Sequence, residues 1–193
     1  LVLGIFTYLY LEDIKPSLVR DRSAQHEIII KNTTDHINRL NIEFNKNSAT
    51  NFLLSTRFLF QNLDRVQLYD LNSNLLADTD TLDLAQDAFI INQNVQETPI
   101  DNQEENVSIS KNIDQSKATA FNTESYVKKY SLQENENKLI ATETINNNFY
   151  VITLNLVKIN EEKGGYIVVS EIANDILIAV KERRNFILRT VFS

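Results

Sequence analysis

The sequence of 193 residues contains no cysteine, no methionine and no tryptophan, and it has only three glycines and two histidines. Without cysteine it can form neither a disulfide nor a thiol nucleophile. Three glycines are too few for the glycine-rich loops that cradle nucleotide phosphates, and two histidines are too few for a histidine-based metal site. Because no initiator methionine is present, we expect a piece of a longer protein.

Basic residues are fewer than acidic ones: the chain has 19 Lys and Arg and 26 Asp and Glu, which gives a formal net charge of -7. A nucleic-acid partner would require clustered Lys and Arg, so we expect none. No Ser-His-Asp order is present, and no spacing pairs two carboxylates for acid–base chemistry. The sequence therefore predicts a domain that is not an enzyme and that carries no cofactor and no metal.

Apolar runs are absent from the middle of the chain and occur at its two ends. Residues 1–11 (LVLGIFTYLYL) are apolar, and so is the stretch after the basic cluster at 181–184. Eleven residues are fewer than the roughly 20 that span a bilayer as a helix, but cut ends of transmembrane helices have this composition. We expect residues 1–11 to end a first transmembrane helix and residues 175–193 to lead into a second. The alternative is a buried helix at one end and an amphipathic helix at the other.

Residues 12–45 have a helical pattern, in which Pro16 predicts a kink near the start. One stripe recurs at alternating steps of three and four residues: Ile30, Thr33, Ile37, Leu40 and Phe44. This spacing predicts a coiled-coil seam in a parallel homodimer, and the alternative is an amphipathic helix packed on a sheet. Val19, Ser23 and His26 continue this register towards the N-terminus. We expect either histidine, His26 or His36, to lie on a solvated helix face, and the alternative is that one of them titrates between about pH 5 and pH 8 as a switch. A second helix is expected over residues 51–62.

Two short runs at residues 66–69 and 75–77 flank the polar segment 70–74, which predicts a tight β-hairpin. Three polar residues of that segment also match the first, third and fifth positions of a calcium loop. Such a loop needs Gly at position six and Glu at position twelve, where this chain has Leu75 and Thr81. We interpret the segment as a turn.

Residues 78–122 are rich in Asp, Asn, Gln and Ser and have few large apolar residues, which predicts a solvated polar insertion with little order. Acidic residues concentrate in it at 78–87 and 101–105. Crowded carboxylates have raised pKa values, so we expect these two groups to respond to acid.

After the insertion, β-branched and aromatic runs at 138–145, 149–158 and 165–170 predict a three-stranded antiparallel meander. A final helix is expected from Asn174 onwards, because Asn174 is a favourable N-cap. The predicted class is α+β, with a central antiparallel sheet, a long N-terminal helix and a C-terminal helix leading to the membrane.

Residues 65–70 (RVQLYD), followed by a turn and residues 75–78 (LLAD), resemble the hairpin R-x-x-L-Y-D…G-x-L-x-x-D of one sensor family. That family is the periplasmic stimulus-sensing domain of ChvG/ExoS-type sensor histidine kinases, which is PAS/Cache-like. The meander and the basic C-terminal helix are similar too. The chain departs from the pattern at Asn74, where the family usually has Gly.

The resemblance implies a periplasmic sensor domain, residues 12–174, of an inner-membrane kinase of a two-component system that reports acidity or envelope state. It also implies a homodimer and a periplasmic regulatory protein as a partner. The alternative is a small-molecule-binding Cache-type module of a chemoreceptor or kinase. For that alternative, the candidate ligand-binding residues are Arg65, Tyr150 and Tyr166.

Overall fold

Helices lie at both ends of the described chain and the strands lie between them. The structure, a computed structural model, describes residues 2–61, 63–82, 122–132 and 138–191. The elements in chain order are α1 (Val2–Arg39), α2 (Lys46–Thr56), a 3-10 turn (Arg57–Phe60), β1 (Arg65–Tyr69), β2 (Leu75–Asp78), α3 (Glu124–Ser131), β3 (Leu139–Ile145), β4 (Asn148–Ile159), β5 (Glu162–Ile172) and α4 (Asn174–Val191). Most of the predicted polar insertion, residues 83–121, lies outside the described residues.

The five strands form one antiparallel sheet in the order β2–β1–β5–β4–β3. The predicted meander supplies three neighbouring strands, and the predicted hairpin joins it through β5, with Val66 opposite Val169. The α+β class, the central antiparallel sheet and the two long terminal helices are therefore confirmed.

Asp70 closes the turn of the β1–β2 hairpin. Its Oδ1 accepts hydrogen bonds from the backbone N–H groups of Asn72 at 2.9 Å and Asn74 at 2.8 Å, and its Oδ2 accepts from Asn74 Nδ2 at 2.8 Å. The left-handed position of the turn is Ser73, with φ 66°, so Asn74 does not need to be glycine. An Asp side chain that accepts hydrogen bonds from the amides after it is typical of a tight turn. The hairpin prediction is therefore confirmed.

The first helix ends at Arg39, several residues before the predicted end near residue 45. Asn41 has a left-handed backbone with φ 50°. Its N–H donates to the carbonyl of Asn38, and the N–H of Ile42 donates to the carbonyl of Ile37, both at 3.1 Å. These two bonds form a Schellman motif, which stops a helix where a residue tolerates positive φ.

Helices α1 and α2 cover one face of the sheet, and the predicted stripe packs there rather than pointing outward. Ile30, Thr33 and Ile37 are at most 2% exposed, and Phe44 packs at the edge of the same core. Leu40 is the only one of the five that is more than half exposed, and it lies beyond the helix. The alternative of an amphipathic helix packed on a sheet therefore describes most of the stripe, while association of two chains stays a prediction.

The two terminal helices lie side by side and run antiparallel. Val19 of α1 packs with Ile176 near the start of α4, whereas Tyr10 lies against Phe186 further along. The described parts of both chain ends therefore lie on the same side of the sheet, as expected for two segments reaching one membrane. Among the described residues, however, no helix combines the length and the hydropathy that crossing a membrane requires.

Candidate functional site

The second face of the sheet carries a cluster of aromatic and polar side chains. Side chains of a strand alternate between faces, so Val66 and Leu68 point to the α1 side and Arg65, Gln67 and Tyr69 point to the other side. Helix α3 packs on this second face. We call it the α3 face.

Tyrosines dominate the apolar part of the α3 face. Five of the seven tyrosines in the chain belong to its cluster: Tyr69, Tyr126, Tyr130, Tyr150 and Tyr166. The rings of Tyr130 and Tyr166 meet edge to face, with centroids 5.8 Å apart. Burial and the neighbouring carboxylate of Glu143, which accepts a hydrogen bond from the Tyr126 hydroxyl, raise the pKa of Tyr126 to about 12. The Tyr126 hydroxyl is therefore protonated at any physiological pH.

A chain of buried hydrogen bonds crosses the same face. Arg65 Nε donates to both oxygens of Asp78 at 3.0 Å, and Gln67 Nε2 donates to Asp78 Oδ2 at 3.0 Å. Thr123 Oγ1 donates to Gln67 Oε1 at 2.6 Å and also lies 2.6 Å from the Tyr69 hydroxyl. Asp78, Gln67 and Thr123 are each at most 2% exposed. A buried network of this kind holds its members in one geometry.

Two carboxylates share the guanidinium of Arg65. Arg65 Nε also lies 3.4 Å from Asp80, so one guanidinium faces two carboxylates. Burial opposes the charge on Arg65, but the hydrogen bond and charge of Asp78 outweigh it and raise the pKa of the guanidinium. Both carboxylates therefore lie against Arg65 at one end of the α3 face.

All three residues predicted to bind a ligand lie on the α3 face, although not at one point. Arg65 is opposite Ser170 in the sheet, whereas Tyr166 is opposite Tyr69 at the other end of β1. Four residues of strand separate the two positions by about 13 Å. Tyr150 is on β4, nearer the Arg65 end, because it pairs with Ile172. The three residues are therefore spread along the face and do not converge on one contact point.

Sequence reasoning missed the two residues that complete the polar network, Gln67 and Thr123, and it misplaced Asp78. Asp78 was expected in a solvated acidic group but is 1% exposed. A signal was available: Gln67 sits between two apolar strand residues, on the same strand face as Arg65 and Tyr69. The other acidic positions of that prediction, apart from Asp80, lie outside the described residues.

The expectation of a solvated helix face was wrong for His26, since this side chain is 1% exposed. It lies between α1 and the sheet, within hydrogen-bonding distance of Thr153 and Glu171. Its partners lie on β4 and β5, far along the chain, so no local sequence pattern predicts these contacts.

A groove of about 560 Å³ runs between α1 and β4. Charged side chains line it, including Glu27, Lys31, Asp35 and Lys158, and Glu27 is held by an ion pair with Lys138. None of its polar lining residues is buried. The preorganised polar groups of this sheet therefore belong to the α3 face and to the His26 cluster, not to the groove.

No family model matches this sequence, and no curated protein sequence matches it significantly. Solved structures do match. The sensory domain of the Campylobacter jejuni chemoreceptor Tlp3 (CcmL) is similar with a TM-score of 0.50 and 12% identity, over 91% of this chain and 62% of that one. The ligand-binding domain of the same receptor is similar in its complex with L-norvaline (TM-score 0.51, 12% identity, 93% and 61% covered) and with L-valine (0.50, 12%, 93% and 63%).

These similarities show that the fold of the chain is similar to that of the Tlp3 sensory domain. The chain spans about three-fifths of the length of the domains it matches. The matching structures are chemoreceptor domains, so the narrower assignment to ChvG/ExoS-type kinases stays a prediction that rests on the hairpin.

Proposed function

We propose that the chain is a non-catalytic sensor domain of a membrane receptor and that it binds a small polar molecule on the α3 face. The observation that carries this proposal is the buried network of Arg65, Asp78, Gln67 and Thr123 beside a row of tyrosines. Ligand sites characteristically combine an apolar lining with a few fixed polar groups that set orientation.

A small amino acid is the ligand class that suits this face. Its ammonium group matches the carboxylate of Asp80, whose side chain is 49% exposed, and its apolar side chain matches the tyrosine cluster. The Tlp3 domain is described in complex with L-norvaline and with L-valine, which supports the same ligand class here.

Binding would be reported through the terminal helices. Helices α1 and α4 pack side by side, and they are the elements that lead away from the sheet at both ends. The proposal places this domain in the periplasm, with residues 1–11 and 175–193 leading to segments in the inner membrane. The receptor output is a chemoreceptor signalling region or, as the hairpin resemblance implies, a sensor histidine kinase. We also propose that the domain forms a homodimer and that a periplasmic regulatory protein binds to it.

Thermal unfolding in the presence of each common amino acid tests the binding step. A ligand present at 100 times its dissociation constant stabilises a protein by about 2.7 kcal/mol, which raises the unfolding temperature of a chain of this size by roughly 5–10 °C. Tyr150→Ala should reduce this shift, because Tyr150 is a half-buried member of the face. Tyr10→Ala, on α1, is the control and should leave it unchanged. If no amino acid or related small amine raises the unfolding temperature, the proposal fails.

A further inference from the structure

The interior of the α1–sheet contact contains a titratable side chain that the α3 face does not involve. His26 is 1% exposed, and both of its ring nitrogens have partners. Nδ1 lies 3.0 Å from Thr153 Oγ1, and Nε2 lies 3.0 Å from Glu171 Oε2. Thr153 is in turn 3.0 Å from the hydroxyl of Ser23, and both hydroxyl residues are fully buried.

The two hydroxyls allow His26 to be either neutral or charged without moving. When the ring is neutral with its proton on Nε2, Ser23 donates to Thr153, Thr153 donates to Nδ1, and Nε2–H donates to Glu171. When the ring is protonated, Nδ1–H donates to Thr153, and Thr153 donates to Ser23. A hydroxyl is both donor and acceptor, so the direction of the chain reverses and every hydrogen bond among the four residues is kept.

The cluster also connects α1 to the start of α4. Arg22, one helical turn before His26, pairs with Glu171 on β5 and with Asp175 in the first turn of α4, the latter at 2.5 Å. The charged groups that act on His26 are Glu171, which favours the imidazolium, and Arg22, which opposes it. Glu27, the next charged residue on α1, is paired with Lys138. Glu171 is therefore shared between Arg22 and His26.

We propose that His26 is a proton-operated switch that changes how α4 is held against α1. Once protonated, His26 competes with Arg22 for Glu171 and repels the guanidinium. Arg22 then relies on Asp175, whose side chain is 64% exposed, and the first turn of α4 shifts relative to α1. This inference goes beyond ligand binding, because it concerns the packing of the helices in the chain itself and needs no ligand for its test.

Burial disfavours the imidazolium and lowers the pKa of His26, although the hydrogen bond and charge of Glu171 oppose this effect. The folded chain therefore binds the proton less readily than the unfolded chain. Stability from this group is complete above the ordinary histidine pKa of about 6.5. It falls as the pH drops below that value through the lower folded-state pKa. The switch thus acts below about pH 6.5.

The chain offers a direct test by proton NMR, because it contains only two histidines. The Cε1–H signals of His26 and His36 are assigned with His36→Gln and followed from about pH 8 to about pH 4. We expect the His26 signal to titrate in a chain that circular dichroism shows to be folded. Glu171→Gln, which keeps the shape of the partner but removes its charge, should move the midpoint to lower pH. A His26 ring that does not titrate before the chain unfolds overturns the proposal.

The helix movement is measured on the same chain with spin labels on cysteines introduced at Leu9 of α1 and Arg184 of α4, both exposed. The absence of native cysteine makes the labelling specific. We expect the distance between labels to change with the midpoint of His26, and the change to be absent in His26→Gln but retained in His36→Gln. A distance that does not change, or that changes equally in His26→Gln, overturns the proposal. Amino-acid binding is scored separately, so the two proposals fail independently.

Discussion

Thr123, immediately before α3, donates a 2.6 Å hydrogen bond to Gln67 in the middle of β1. Both side chains are 2% exposed, so neither has water as an alternative partner. Thr123 also contacts the Tyr69 hydroxyl. Its side chain therefore anchors the start of α3 to β1.

Replacing Thr123 with valine keeps its shape but removes the hydroxyl, leaving the oxygen of Gln67 without its donor. A buried polar group left without a partner costs about 1–3 kcal/mol. We expect a loss of this size in the free energy of unfolding, measured with urea. Thr190→Val on the exposed part of α4, whose hydroxyl bonds only its own helix, is the control and should change stability by less than about 0.5 kcal/mol. Equal losses in the two variants would contradict the importance of the network.

The pair of Arg65 and Asp78 should behave as a buried ion pair. Arg65→Met leaves the carboxylate of Asp78 without its cation, which costs about 3–5 kcal/mol in buried pairs. Arg20→Met is the matched control, because Arg20 and Asp13 form an ion pair with both side chains 64% exposed and such pairs contribute little. In a double-mutant cycle with Asp78→Asn, the losses should be less than additive. Additive losses would show that the two residues act separately.

Gly165 of β5 should not accept a larger residue. A Cβ atom at this position would collide with the ring of Phe44 and with the carbonyl oxygen of Tyr69. Overpacking of this kind costs about 1–3 kcal/mol, so Gly165→Ala should lower the midpoint of urea unfolding. At Gly164 the nearest atoms belong to the flexible end of Ile159, so Gly164→Ala should lose less. The order of the two midpoints checks the prediction.

Substitutions at Ile37 and Leu40 distinguish packing in the core from contact between two chains. Ile37 is fully buried and Leu40 is 52% exposed. Ile37→Asp should therefore abolish the folded circular dichroism spectrum, whereas Leu40→Asp should leave it native. If the proposed dimer uses this end of α1, Leu40→Asp should also weaken self-association in sedimentation equilibrium. A folded Ile37→Asp chain would contradict the packing of α1 on the sheet.

The hairpin, the meander and the final helix could be predicted because their signals are local. Asp70 and the Asn residues after it define one turn, and β-branched runs define the strands. The neighbours β1 and β5 could not be predicted, since their pairing places Val66 opposite Val169 and no local pattern encodes such a contact. The same holds for the candidate site. Arg65 was found through the hairpin, which also supplies the partners of Asp78. The burial of His26, in contrast, depends on partners from the distant strands β4 and β5.

The sheet order also determines how this domain folds and what lengths of chain it tolerates. β1 and β2 can form early as a hairpin, but they join the rest only when β5 has been added beside β4. Such non-local pairing makes folding slow. The cost of closing the intervening chain, however, rises only by about 0.6 kcal/mol for each doubling of its length. Gln67 bonds both Asp78 and Thr123, so the network that orders the α3 face is complete only when two distant points of the chain have reached β1.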